Sequence, residues 1–192
     1  MSRDHEAGMP KRALIVLAEG FEEIEAVSPI DILRRARIDV IVAGLSGREV
    51  KGAHGIKISA DVLLKDAAQD IDALILPGGS PGAENLAKSK ELAGLIIKMF
   101  KAQKIIAAIC AAPSLVLDPT GILENKKATC FPGMENLFSA RVKFLKDRVV
   151  RDGNLITSRG PGTAMAFSLA IVEALAGKKT ADTLKQKILA FS

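Results

Sequence analysis

Short, nearly continuous apolar runs alternate along the chain with longer stretches in which apolar residues recur every three or four positions. Residues 12–18 (RALIVLA), 38–44 (IDVIVAG), 72–76 (DALIL) and 105–109 (IIAAI) have the length and apolar content of buried strands. Residues 22–36 have helical spacing, with Ile24, Val27, Ile30 or Asp31, and Arg34 following one another along one side. Residues 89–102 are amphipathic, with Leu92, Leu95, Ile96 and Met99 on one face. Residues 50–60, which include Gly52 and Gly55, read as short strands or a hairpin, and residues 126–157 hold short β-type segments (KATCF, ARVKF, RVVRD, NLITS). Two helices are predicted to close the chain, 163–176 with Gly177 as its C-terminal cap, and 180–190. Near-continuous apolar strands separated by helices predict an α/β fold, a mostly parallel sheet with helices on both faces. Such sheets carry their sites at the carboxyl ends of the strands, which here means the loops at 19–25, 77–82 and 110–113.

Composition narrows the class. With 192 residues and 48% apolar content, the chain can bury a core without staples. Residues 11–192 are read as a single domain behind a polar leader of about ten residues that carries no periodicity. Two cysteines, Cys110 and Cys130, are too few for a secreted disulfide framework. No apolar run near the start reaches the length of a signal core or a membrane span, so a soluble cytoplasmic protein with reduced thiols and no membrane partner is expected. The formal charge of +5 is scattered along the chain, and with no Trp, no Tyr and only seven Phe there is no basic stripe interleaved with stacking aromatics. Nucleic acid is therefore not expected as a partner. No metal-ligand spacing appears, and no cofactor is expected.

The segment AICAA around Cys110 has the spacing of a nucleophile elbow, with small residues where strand and helix must approach. A cysteine so placed is either a small buried hydrophobe or a nucleophile at a helix N-terminus, where amides and dipole lower its pKa. The preceding strand, the flanking alanines and Pro113 favour the nucleophile. Glu25 lies four residues before Pro29, which has no N–H to bond the Glu25 carbonyl. Its alternatives are a surface glutamate or a desolvated carboxyl able to shuttle protons. Glu22 and Glu23 are accounted for as acidic residues in a first helical turn. LPGGSPG at 76–82 is either a plain glycine turn or a nest of N–H groups for an oxyanion. Phosphate cradling is disfavoured, because no Lys or Ser/Thr pair follows at P-loop spacing. The RGPGT loop at 159–163 is read mainly as architecture capping the next helix. His54, in a turn, is either solvated or an accessory to the site, and Cys130 is read as a semi-buried strand residue or a second thiol near the first.

In order and at these distances, the segments KRALIVLAEGFEEIEAVSPIDILRRA, ALILPGGSPGAENL, AAICAAPSLVL, KATCFPG and LITSRGPGTAMAFSLAIVEAL resemble the ThiJ/PfpI superfamily, in its branch of Parkinson-disease-associated protein deglycases. The resemblance covers residues 11–189. It implies a flavodoxin-like three-layer sandwich and a homodimer built partly through the first helix. Cys110 would be the oxidation-sensitive nucleophile and Glu25 its protonated partner carboxyl, with Gly78, Gly79 and the Ala111 N–H lining an oxyanion pocket. The implied activity is a cofactor-independent deglycase or glyoxalase III-type reaction on methylglyoxal, glyoxal or early glycation adducts, giving hydroxy acids. The implied alternative is a redox-sensing, chaperone-like protein signalling through Cys110 oxidation, and both belong to stress protection. Two positions depart from relatives. Phe131 stands where some members have histidine, and Ala111 stands where the protease-like branch has histidine, which argues against peptidase activity.

Overall fold

The computed structural model describes residues 10–68 and 70–190; the leader expected at the start therefore falls, except for Pro10, outside the described residues. Seven strands form the central sheet: β1 (Arg12–Leu17), β2 (Asp39–Gly44), β5 (Val62–Leu63), β6 (Ala73–Leu76), β7 (Ile105–Ile109), β10 (Val149–Asp152) and β11 (Leu155–Ser158). The remaining strands make two small ribbons, β3 (Glu49–Lys51) with β4 (Lys57–Ser59), and β8 (Lys127–Ala128) with β9 (Lys143–Phe144). Across the central sheet the order is β10-β11-β7-β6-β1-β2-β5. All its strands pair in parallel except β10, which runs antiparallel to β11.

Strands β6 and β7 are apolar at every position because both faces are covered. Ile106, Ala107, Ala108 and Ile109 point alternately to the two faces, and all are fully buried. Helix α4 (Ala164–Ala176) covers β7 and β11 on one side and packs on α1 (Glu23–Arg35), while α3 (Lys90–Lys101) covers β7 on the other. Helix α5 (Lys178–Lys187) packs on α4 and starts two residues earlier than the sequence suggests. The short helix α2 (Gly82–Ala87) has no counterpart among the predicted elements. The expected flavodoxin-like sandwich is what the chain adopts.

Helix α1 buries a different face from the one its apolar residues suggest. Ile24 and Val27 are exposed, as are Asp31 and Arg34, whereas Glu23, Glu25, Ala26, Pro29, Ile32 and Leu33 are buried. Two of the inward residues are carboxylates with dedicated hydrogen bonds, which apolar periodicity cannot register. The chain order reverses direction across the sheet between β1 and β6, and this switch point opens a crevice at their carboxyl ends.

Candidate active site

Three loops meet at that crevice. Backbone hydrogen bonds lock the loop after β1 to the loop after β6, Glu22 N–H to the Gly78 carbonyl and Gly82 N–H to the Gly20 carbonyl, both at 3.1 Å. Gly79 adopts φ +96°, and a Cβ there would collide with the Gly20 carbonyl and the Glu22 amide. Gly78 is confined from the other side. Its Cβ would lie 2.7 Å from the Cys110 Cβ, 2.9 Å from Glu25 Oε2 and 3.0 Å from the Ala111 nitrogen. Glycine at 78 and 79 is thus what lets the three loops close on one point.

Cys110 directly follows β7 and takes φ +65°, a left-handed conformation costing roughly 1–2 kcal/mol in a residue with a Cβ. Two bonds hold it there: its N–H donates to the Ser158 carbonyl at 2.9 Å, and its carbonyl accepts from Phe131 N–H at 2.8 Å. The strained turn directly after the strand, expected of an elbow, is present, but the side chain is buried rather than exposed. The segment after the elbow is not a regular helix. Pro113–Leu117 is a single π-helical turn running into a 3-10 turn at Asp118–Thr120, bracketed by Pro113 and Pro119, too short to supply a helix dipole.

Glu25 is fully buried in the first turn of α1. Its backbone N–H is capped by Glu22 Oε2 at 2.8 Å, and its own Oε2 accepts the Gly78 N–H at 2.8 Å. The carboxyl converges with Cys110 on Gly78, where a Cβ would lie 2.9 Å from Glu25 Oε2 and 2.7 Å from the Cys110 Cβ. Oε1 has no partner and faces Gly160, where a Cβ would lie 4.0 Å away. Burial pushes the carboxyl up to about 7, more than the Gly78 amide and the thiol pull it down, and the Glu22 charge adds to the rise. A proton on Glu25 is therefore gained or lost near neutrality.

The expectation of a lowered thiol pKa is corrected. Burial, then the Glu25 charge and its hydrogen bond, push Cys110 up to about 12, while the Gly79 and Ala111 amides bonded to the sulfur pull the other way and are outweighed. Protonation of Glu25 removes the second of these causes. Of the three groups expected around an oxyanion, Gly79 and Ala111 present N–H groups at the sulfur; the Gly78 N–H is already committed to Glu25. Gly78 orients the carboxyl.

His54 is elsewhere engaged. Its ring Nδ1 lies 2.8 Å from Glu23 Oε2 and its backbone N–H donates to Glu23 Oε1 at 2.7 Å, which fastens the β3–β4 hairpin to α1. Neither Cys110 nor Glu25 is among the ring's hydrogen-bond partners. Glu22 and Glu23, read as ordinary first-turn acids, are both buried and structural: one caps α1 and the other anchors the hairpin. With His54 they bring ligand-capable atoms within 4.8 Å of one another, a grouping invisible in the linear spacing. Cys130 lies two residues beyond β8, outside any strand, and is fully buried rather than semi-buried. Burial and the Glu135 charge push its thiol up to about 11. Two further neighbours of the site, Gly160 and Phe131, have no place in it on sequence grounds. The first is visible there only as a glycine-rich loop, the second only as a departure from histidine.

A family model described as the DJ-1/PfpI family matches residues 11–174. Protein DJ-1 homolog B of Arabidopsis thaliana is 44% identical over 178 residues, 92% of this chain, which spans only 40% of that relative's length. The protein named glutathione-independent glyoxalase DJR-1.2 of Caenorhabditis elegans is 40% identical over 183 residues, covering 94% of this chain and 97% of its own. The crystal structure of Drosophila melanogaster DJ-1beta superposes with a TM-score of 0.90 at 41% identity, covering 94% of this chain and 98% of that one.

Proposed function

The chain belongs to the DJ-1/PfpI family, and from that membership we propose that it is a glutathione-independent glyoxalase or deglycase using Cys110 as nucleophile and Glu25 as proton carrier. The observation that carries the proposal is a fully buried carboxyl that meets a cysteine at Gly78, where a Cβ would lie 2.7 Å from the Cys110 Cβ, 2.9 Å from Glu25 Oε2 and 3.0 Å from the Ala111 nitrogen, with burial raising that carboxyl to about 7. A thiol held well above its ordinary pKa attacks only as its proton leaves, and Glu25 is in place to accept that proton. Glycation adducts of amines or thiols, like free methylglyoxal and glyoxal, present the carbonyl this arrangement needs.

The reaction can be built from the groups present. Sγ bonds to the aldehyde carbon, the C=O π pair becomes an oxyanion against the Gly79 and Ala111 N–H groups, and the thiol proton passes through Glu25 to that oxygen. Glu25 next removes the proton from the carbon bonded to sulfur and delivers it to the neighbouring carbonyl oxygen, giving an enediol. It then takes the hydroxyl proton from the sulfur-bearing carbon's oxygen and returns it to the neighbouring carbon. This leaves a thioester beside an alcohol. Water then cleaves the thioester, giving lactate from methylglyoxal or glycolate from glyoxal and restoring the thiol. One carbon is oxidised and its neighbour reduced, so the net change consumes only water. Lactate formation by the wild type, Cys110→Ser and Glu25→Gln tests the assignment, and equal turnover in all three sinks it.

A second reading, redox sensing with chaperone-like protection, is favoured by the same two amides and the carboxyl, which could also hold sulfinate oxygens. Against it stands the raised thiol pKa, which keeps the oxidisable thiolate scarce. Graded peroxide followed by intact mass is expected to leave Cys110 largely unoxidised at doses that oxidise an exposed model thiol. Stoichiometric sulfinate at low dose, with protection from aggregation lost in Cys110→Ser, would favour sensing instead.

The same reading includes a homodimer and a reducing compartment such as the cytosol, where two free thiols persist. Ile24 and Val27 on α1 are 54% and 47% exposed, and Ile56 on the hairpin, whose N–H donates to Glu23, is 58% exposed. These side chains form an apolar face of the kind buried between subunits. Among the described residues no helix is long and apolar enough to cross a membrane. Val27→Glu is expected to convert a two-chain species into a one-chain species in light scattering, and an unchanged mass removes this face from the interface.

A further inference from the structure

Phe131 is 42% exposed beside a site otherwise built from buried residues. Its position is fixed at both ends. The backbone N–H donates to the Cys110 carbonyl at 2.8 Å, and the carbonyl accepts from Met134 N–H at 3.0 Å, closing a turn that Glu135 Oε2 ties further by accepting the Gly133 N–H at 2.6 Å. The ring rests on Gly160, where a Cβ would lie 3.2 Å from Cδ2 and 3.5 Å from Cε2. That same point is 4.0 Å from the unpartnered Oε1 of Glu25. One edge of the ring and the free oxygen of the carboxyl therefore border a single spot above Gly160, while the rest of the ring meets water.

A phenyl ring can neither give nor take a proton, so its contribution at this spot is contact. Apolar surface brought against it leaves water favourably, and a planar unsaturated group gains further stabilisation by offset stacking. We propose that Phe131 is a specificity-determining residue of the Cys110 site, receiving a branched alkyl or aryl group attached to the carbonyl that the sulfur attacks. The proposal rests on the reading of Cys110 as a carbonyl-directed nucleophile. The captured species is a hemithioacetal: the S–C bond forms, the C=O π pair moves to oxygen, that oxygen takes the thiol proton, and nothing is oxidised or reduced. Small dicarbonyls such as glyoxal leave the ring uncovered, whereas carbonyls bearing apolar substituents cover it.

Protection of Cys110 from iodoacetamide at mildly alkaline pH, read by mass spectrometry, measures capture without requiring turnover. In the wild type, Phe131→Ala and Phe131→Leu, three aldehydes are compared: acetaldehyde, 3-methylbutanal and benzaldehyde. Phe131→Ala is expected to weaken benzaldehyde and 3-methylbutanal protection about tenfold and acetaldehyde by no more than about twofold. Phe131→Leu is expected to recover the alkyl aldehyde and not the aryl one. Equal weakening of all three aldehydes, or of none, overturns the proposal. If no aldehyde protects the wild type, the carbonyl-directed reading of Cys110 itself has failed, and binding alone then decides the role of Phe131. Benzyl alcohol, which cannot bond to sulfur, is titrated into Cys110→Ala and into Cys110→Ala/Phe131→Ala. Amide shifts at residue 131 and Gly160 that appear only when the ring is present support an apolar subsite; no shifts in either protein overturn it.

Discussion

Serine in place of Cys110 is expected to cut lactate formation from methylglyoxal by at least about a thousandfold in kcat/KM. The substitution changes one atom within an otherwise unaltered frame: the turn at φ +65° and the backbone bonds to Ser158 and Phe131 do not involve the side chain. Stability should accordingly stay within about 1 kcal/mol of the wild type. The loss is chemical. A carboxyl titrating near 7 can receive a thiol proton as the S–C bond forms, but a serine hydroxyl is several pKa units harder to deprotonate and a poorer nucleophile. Retention of more than roughly a tenth of wild-type kcat/KM would show that the chemistry does not pass through sulfur.

Glutamine at position 25 is expected to abolish a pH dependence of folding stability that the wild type shows. Glu25 is raised from 4.5 to about 7 by burial, so the folded state holds a proton that the unfolded chain releases near its ordinary pKa. Below that ordinary pKa both states are protonated and the buried neutral carboxyl contributes its full stability. As pH rises the unfolded chain ionises first, and the contribution is lost progressively until the folded carboxyl itself ionises around 7. The shift corresponds to about 3 kcal/mol by pH ~8.5 relative to acid conditions. Glutamine keeps a carbonyl oxygen for the Gly78 N–H and carries no charge to desolvate, so the Glu25 component of the pH dependence should be missing from the variant. Urea unfolding of both proteins at about pH 4 and about pH 8.5 reads the difference. The pair of Glu23 and His54 titrates equally in both proteins and cancels. Parallel pH profiles would mean that Glu25 is not the group responsible. The same variant should alkylate faster at Cys110, because the negative charge that helps to hold the thiol up is gone.

The parts of this molecule that are legible in one dimension are those in which a side chain's type reports its surroundings. IIAAI reads as a buried strand because β7 is covered on both faces, and AICAA reads as an elbow because the buried Ala108, Ala111 and Ala112 flank the cysteine. Glu25 stands out through its spacing from Pro29. Helix α1 shows the opposite case, since Glu23 and Glu25 turn inward to specific hydrogen bonds while Ile24 and Val27 turn outward. Helix α2 has six residues and begins directly after Pro81, too short for its period to register. The direction of the thiol shift is hidden for a related reason. Amides near a sulfur can be anticipated from a glycine-rich loop, but desolvation depends on everything that closes over it, including a carboxyl from another helix. Likewise, nothing local to PGG reveals that the first glycine's N–H is already committed across the crevice.

The two margins of the central sheet bear on how copies of this chain can associate. At one margin β5 contributes only two residues, and at the other β10 runs against the direction of its neighbours, with Lys127 of β8 donating its N–H to Asp152. Neither border offers a long ladder of unsatisfied amides and carbonyls for another molecule to extend. Strand-by-strand growth into fibrils is therefore poorly templated by the folded protein, and copies are left to meet through side chains on helices and hairpins, an encounter that stops once the patches are covered.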